Sequence, residues 1–336
     1  MKAAVFYETG GPEVLRYEEV PEPVCTPDGV VIEVAVISIE GADTLTRAGK
    51  ASWLPTGQAL PKPFIVGYQS AGTVREVGAQ VKNLRIGDRV VAFAPSGAYA
   101  ERVAALASTT WVLPSGTDFF QAACVPVAFG TAHEALFALG QLRRGQTVLV
   151  HADAGGVGLA AIQLAKAAGA VVLTTASSDA KLARLREFGA TYGINYKTSS
   201  FADAVTKAIG PDGVDLVIDP VGGKTLQESV TCLKYRGRIV SIGVSGRDDV
   251  PFNPVALWGR NGTLIGLGMP TSLQYEYDRA YGVIAECVQR VASGELSVII
   301  DKKFVLSDAA KAHQYIEERT AFGRVVLVPA GRNPSP

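Results

Sequence analysis

His151-Ala-Asp-Ala-Gly-Gly-Val-Gly158 stands between an apolar run, Gln146-Thr-Val-Leu-Val150, and an Ala-rich stretch from Leu159 to Ala168 closed by Gly169. The run reads as a buried parallel strand. The Ala-rich stretch reads as a helix, with Gly169 its C-terminal stop. Strand, glycine turn and helix in that order form the context of a nucleotide-phosphate loop. Gly155 and Gly156 let the backbone approach a pyrophosphate, and Gly158 lets the helix sit close to the strand. The free N–H groups at the helix start then hold the anion.

The next strand, Ala170-Val-Val-Leu-Thr-Thr175, bears on which dinucleotide. An NAD-binding fold usually carries Asp or Glu at its tip for the ribose hydroxyls. Here the tip reads Ala176, followed by Ser177, Ser178, Asp179 and Lys181. Two hydroxyls and one ammonium suit a 2′-phosphate, and no carboxylate stands at the tip to repel it. Asp179, further along, is expected to turn into the helix start as a cap. Tyr196, after the third strand, adds a phenolic hydrogen bond. Simple helix capping is the alternative for both serines. The expected cofactor is NADPH.

A chain of 336 residues is long enough for two domains. Its 32 basic and 32 acidic residues cancel, so no long-range field draws in nucleic acid or an anionic membrane. Apolar runs stay below membrane-spanning length, and the N-terminus lacks the basic-then-apolar signature of a secretory signal. A cytoplasmic protein is expected. Cys25, Cys124, Cys232 and Cys287 are scattered without metal-ligand spacing and read as buried, reduced thiols.

From Met1 to about Val125, β-branched runs broken by Gly and Pro predict an antiparallel barrel-like domain. Near Phe129 the pattern changes. Gly130 to Leu139 reads as helical, and strands such as Val214–Asp219 and Arg238–Ile242 then alternate with helices in a βαβ rhythm. From Val298 the chain returns to strand, helix and strand. The expected architecture is an α/β doubly wound parallel sheet (Rossmann) over 126–266, inserted in a discontinuous antiparallel β barrel-like domain built from 1–125 and 267–336. Substrate is expected in the cleft between the two.

The whole set of motifs resembles the medium-chain dehydrogenase/reductases, in their zinc-independent quinone oxidoreductase-like branch. The likeness runs from Met1-Lys-Ala-Ala-Val through Val66-Gly67, Gly87-Asp-Arg-Val90 and Gly97-Ala-Tyr-Ala-Glu101. It continues through the glycine turn, Gly189-Ala, Asp219-Pro-Val-Gly-Gly and Gly323-Arg-Val-Val-Leu327. The resemblance implies a GroES-like fold for the barrel-like domain. It also implies NADPH binding by Gly155, Gly156, Val157, Gly158, Ser178, Lys181 and Tyr196. Thr131 matches the helix start near the nicotinamide ribose. Ile242, Gly243, Leu264 and Gly266 match segments that pass beside the ring with backbone contacts. Asp153 departs from the small neutral residue usual there, and a carboxylate beside a pyrophosphate costs affinity unless it turns away.

Zinc-dependent relatives hold the metal with a Cys, a His in a Gly-His-Glu run and a further Cys or His. Here the first position falls in Glu40-Gly-Ala-Asp43, and the second reads Gly67-Tyr68-Gln69. Tyr68 replaces the imidazole and Gln69 the carboxylate, and the cysteine-rich loop of the structural metal is missing between Phe93 and Ala105. No metal is expected, and His133, His151 and His313 read as capping, packing or surface residues.

Hydride transfer without a Lewis acid favours acceptors that are already electrophilic, namely quinones and activated alkenes. Tyr68, Glu40 and Asp43 are the candidate catalytic residues. Tyr68 also reads as a packed core tyrosine, and Asp43 as a structural bridge to a nearby Arg such as Arg47. Trp53, Tyr68 and Trp258 are candidate substrate contacts. Relatives commonly carry Asn at Glu40 and an aromatic at Leu45, so a different acceptor is implied. Two other readings stand beside a quinone or enone reductase: a non-catalytic NADPH-binding structural or RNA-interacting protein, and an enoyl-thioester reductase. The run Gly262–Gly268 reads as an edge strand that pairs across a twofold axis, predicting a homodimer.

Overall fold

The computed structural model describes residues 1–51, 60–151, 154–248 and 250–331. Contacts divide the chain into two units, residues 1–127 with 284 onward, and residues 128–283. The sequence reading put the second boundary at 266/267. Residues 267–283 instead group with the inserted unit, where Arg279 binds the buried Glu134 through both guanidinium nitrogens.

The inserted unit holds six parallel strands: Thr147–His151, Val171–Ala176, Tyr192–Asn195, Val214–Asp219, Leu233–Ser241 and Thr263–Gly266. Numbered along the chain, their order in the sheet is third, second, first, fourth, fifth, sixth. Val148, Leu149 and Val150 of the central strand are fully buried, the mark of a strand covered on both faces. The order reverses between the first and fourth strands, and ligands bind beyond the carboxyl ends at such a reversal. Thr263–Gly266 is an edge strand, as expected. The helix expected from Gly130 begins earlier, at Val125, and runs through His133 into a π-helical segment, Glu134–Leu139.

In the other unit, Gly29–Ser38 is the central strand, antiparallel to Gln69–Val77, Arg102–Leu106 and Arg324–Val328. Gly72 is required in this sheet, because a Cβ there would lie 2.1 Å from the Glu33 carbonyl oxygen. Lys2–Phe6 pairs with Arg16–Glu19 and Phe64–Ile65 in a second sheet. Ile32, Ile37, Tyr99 and Leu327 share one core, so residues from both chain ends close it. The architecture is thus a Rossmann sheet inserted in a discontinuous antiparallel, GroES-like domain.

All four cysteines are free; Cys25 is half-buried, against expectation, and the other three are buried. Burial pushes the Cys232 thiol up to about 11 and Cys287 to about 12, leaving both unreactive. Among the described residues no helix is long and apolar enough to cross a membrane.

Candidate functional site

Helix Gly156–Ala167 starts at Gly155, whose backbone is extended, just after Ala154 in a left-handed turn (φ 55°). Among the described residues no side chain caps this helix, whereas Ser178 and Ser200 cap the next two. The N–H groups of Gly156, Val157 and Gly158 have no acceptor within the helix. A Cβ on Gly155 would meet no atom of the described residues within 4 Å, so among them the backbone there borders open space. Open amides at the positive end of a twelve-residue helix fit the pyrophosphate of a dinucleotide. Asp153 lies outside the described residues.

The carboxyl end of the second strand, Ala176, pairs with Asn195 of the third, and the Tyr196 amide donates to the Ala176 carbonyl. This brings Tyr196 to the end of the second strand, from which Ser177 follows. The expected cap, Asp179, is the first helical residue instead. Ser178 is the cap, its hydroxyl accepting from the Lys181 amide at 3.3 Å. Asp179 accepts from the Asn195 side chain at 3.0 Å, which ties its carboxylate to the third strand. Among the described residues the Ser177 hydroxyl has no partner.

Thr131 is buried in helix Val125–His133. Ile242 and Gly243 follow the fifth strand at its carboxyl end, and the Ile242 amide donates to the Asp219 carbonyl at 2.8 Å. Gly266 closes the sixth strand level with Ser241. Leu264, two residues before Gly266 and opposite Ile239, packs its side chain against the core around Phe201 and Val217. Trp258 departs from expectation. Its short helix, Pro254–Arg260, leads into the amino end of the sixth strand, at the other edge of the sheet from the glycine turn.

Two buried groups flank the reversal point. Asp219 accepts from the Val221 and Gly222 amides at 2.7 and 3.0 Å and so fixes the turn after the fourth strand. Burial still holds its pKa above the usual carboxylate range. His151 contacts the Thr175 hydroxyl through Nδ1 at 3.1 Å and the Ser229 hydroxyl through Nε2 at 2.9 Å. Ser229 donates its own proton to the Thr225 carbonyl. It must therefore accept from Nε2–H, and Nδ1 accepts from Thr175. Burial pushes the imidazole down to about 3, so it stays neutral and ties three elements together.

In the barrel-like unit the candidate residues lie in a buried polar network. Glu40 Oε1 accepts from Ser38 Oγ at 3.1 Å, from Gln69 Nε2 at 2.5 Å and from Arg324 Nη2. Gln69 Oε1 accepts from the Val127 amide at 3.0 Å. Asp43 and Glu40 form a capping box on helix Gly41–Arg47, and Tyr99 donates to Asp43 at 3.1 Å while contacting His313 Nε2 at 2.9 Å. Burial raises Asp43 well above the usual range, and the nearby Glu40 charge adds to this. The expected bridge from Asp43 to Arg47 does not form: Arg47 pairs with Glu317 at 2.5 Å. Glu40 Oε1 and Asp43 Oδ2 are thus engaged with neighbours, which argues against free acid–base roles. Tyr68 is half-buried, its hydroxyl 2.9 Å from Thr46 Oγ1 and its ring stacked on Phe93 at 6.5 Å. Trp53 lies outside the described residues.

Sequence reasoning passed over Arg324, Ser38 and Tyr99 as site-forming residues. The available signal was a lone Arg opening the apolar run Arg324–Val328, since a charge in a buried strand demands a partner. Among the described residues no group of three or more His, Cys, Asp and Glu side chains is gathered to hold a metal.

Residues 156–286 match the zinc-binding dehydrogenase family and residues 26–117 the alcohol dehydrogenase GroES-like domain. The chain is 32% identical over 331 residues to a quinone oxidoreductase of Rattus norvegicus, covering 98% of both. It is also 32% identical over 332 residues to a 2-haloacrylate reductase of Burkholderia sp, covering 97% of this chain and 98% of that one. Among solved structures, quinone oxidoreductase of Escherichia coli complexed with NADPH matches with a TM-score of 0.91 at 30% identity, over 98% of this chain and 100% of the other. With likeness of this extent in both units, the protein belongs to the quinone oxidoreductase-like branch of the medium-chain dehydrogenase/reductase family and is an oxidoreductase.

Proposed function

We propose that this oxidoreductase uses NADPH to reduce a quinone or an activated C=C bond, without zinc. The observation that carries the reading is a helix start that no described side chain caps, at open Gly155, beside a strand that ends on Ala176 rather than a carboxylate and leads to Ser177, Ser178 and Lys181, with Asp179 drawn to Asn195. The amides of Gly156 to Gly158 would hold the pyrophosphate, and Ser177, Lys181 and Tyr196 the 2′-phosphate. Ile242, Gly243, Gly266 and Thr131 would border the nicotinamide half. NADPH supplies the hydride when bound. The similar chain named quinone oxidoreductase and solved with NADPH, and the one named 2-haloacrylate reductase, support cofactor and acceptor classes alike.

Tyr68 is the residue we assign to donate a hydrogen bond to the acceptor oxygen as negative charge develops there. Glu40 and Asp43 act through position, holding helix Gly41–Arg47 and, through Gln69, the strand that follows Tyr68. The donors at hand support zinc independence. The position of the metal-binding imidazole is a phenol, and Glu40 Oε1 is already engaged by Arg324, Gln69 and Ser38. We also assign a homodimer formed by pairing Thr263–Gly266 edges, and a cytoplasmic setting for three buried thiols.

The test is NADPH absorbance with a panel of quinones, enals and enones in the presence of chelator. Oxidation that depends on acceptor and persists in chelator is expected. Tight NADPH binding with no turnover on any acceptor would sink the enzymatic reading in favour of a non-catalytic binder. Activity that vanishes with chelator and returns with zinc would overturn the metal-free part, and equal rates with NADH the cofactor choice. A monomer in sedimentation at working concentration would remove the dimer.

A further inference from the structure

At the edge of the parallel sheet away from the glycine turn, the amino ends of strands Thr147–His151, Val214–Asp219 and Leu233–Ser241 border a cleft of ≈ 250 Å³. Gln141, Arg143, Asp215, Tyr235, Arg236 and Arg238 line it. Its one carboxylate, Asp215, is already engaged, accepting from the Thr147 amide and hydroxyl at 2.8 Å each and pairing with Lys234 at 3.4 Å. Among the described residues no carboxylate lies within ion-pair reach of Arg143, Arg236 or Arg238. Arg47, Arg102, Arg279, Arg290 and Arg324 are each matched to a carboxylate. In a chain whose charges cancel, three unmatched guanidinium groups around one cleft are a local excess of positive charge.

Two further observations point to a ligand. Gln141 and Arg236 both hold left-handed backbone, φ 52° and 61°, where side chains other than glycine are strained. The fold keeps that strain on the cleft's rim at two positions where glycine would relieve it. Tyr235 exposes 64% of its surface, with the Arg236 guanidinium 5.5 Å from its ring centroid and its hydroxyl accepting from Asn261 at 3.3 Å. The tethered ring offers a face for a planar group, and planar guanidinium forks bind phosphate oxygens in pairs.

We propose that this cleft binds a mononucleotide, with its phosphate on Arg143 and Arg238 and its base stacked against Tyr235 and Arg236. The site is separate from the glycine turn and stands whether or not that turn binds NADPH. Calorimetric titration of 5′-AMP into four proteins tests it: wild type, Arg143→Gln/Arg238→Gln, Tyr235→Ala and Gly155→Val, each checked for an intact melting transition. Wild type and Gly155→Val should bind AMP alike, and the double arginine variant should bind at least tenfold more weakly. Tyr235→Ala should lose AMP affinity while keeping that for inorganic pyrophosphate. No AMP binding by wild type, or binding lost in Gly155→Val but kept in the arginine variant, would overturn the site. Unchanged AMP affinity in Tyr235→Ala would overturn the mononucleotide assignment, and this single variant decides the matter if the double one does not fold.

Discussion

Glu40 and Arg324 form a buried ion pair between residues 284 positions apart, joining the start of helix Gly41–Arg47 to the last strand of the chain. Arg324 also donates to Ser38 Oγ and the Ile39 carbonyl at 2.7 Å each. The carboxylate therefore has every strong donor on one side of it. Removing Arg324 would strand a charge in the core. Arg324→Met should destabilise the fold by about 3–5 kcal/mol, as expected when one partner of a buried pair is deleted. Adding Glu40→Gln should restore much of that loss in urea unfolding. No recovery in the double variant would show that Arg324 acts mainly through Ser38 and Ile39.

At the strand tip, the two serines have separable roles. Ser178→Ala should cost about 1 kcal/mol of stability without any cofactor, because its hydroxyl caps helix Asp179–Glu187. Ser177→Ala should leave stability within about 0.5 kcal/mol, as a surface change does. Both Ser177→Ala and Lys181→Ala should weaken NADPH by about tenfold while sparing NADH, since each removes a charge-assisted contact. Equal weakening of both cofactors would place these side chains away from the 2′-phosphate.

The glycine turn, its strand and its helix were legible because all three sit within about twenty residues and each obeys a local rule. The barrel-like unit was legible as strands but not as a network. Glu40 meets Arg324, and Tyr99 meets His313, across spans of 284 and 214 residues. No spacing or period records such meetings. Trp258 was misplaced for a related reason: an aromatic side chain has the same identity at either end of a strand. Its position comes from the short helix that precedes the sixth strand.

The neutral His151 imidazole makes stability depend on pH with a definite sign. Its pKa falls from 6.5 in the unfolded chain to about 3 in the fold. Below 6.5 the unfolded chain takes up a proton that the fold refuses. The contribution is complete above pH 6.5 and is lost as pH falls towards 3. His313, also pushed down to about 3, behaves the same way. Each such histidine removes about 1.4 kcal/mol per pH unit inside that window. Unfolding free energies of His151→Gln should therefore fall less steeply with acid than those of wild type. Parallel slopes would mean that His151 is protonated in the folded protein.

Tyr68 is the residue whose two readings predict opposite kinetics. Its hydroxyl meets Thr46 Oγ1 at 2.9 Å, and its ring stacks on Phe93, contacts that a packing role already explains. As a donor to the acceptor oxygen it stabilises charge that appears only during hydride transfer. Tyr68→Phe should then lower kcat on the order of a hundredfold, with the NADPH dissociation constant unchanged. Its cost in stability should stay near 1 kcal/mol, the worth of one hydrogen bond. Thr46→Val offers the comparison, because it takes the same bond from the fold while leaving the phenol in place. If Tyr68→Phe and Thr46→Val lose equal stability and neither changes kcat, the phenol is a core group and the charge on the acceptor oxygen is met elsewhere.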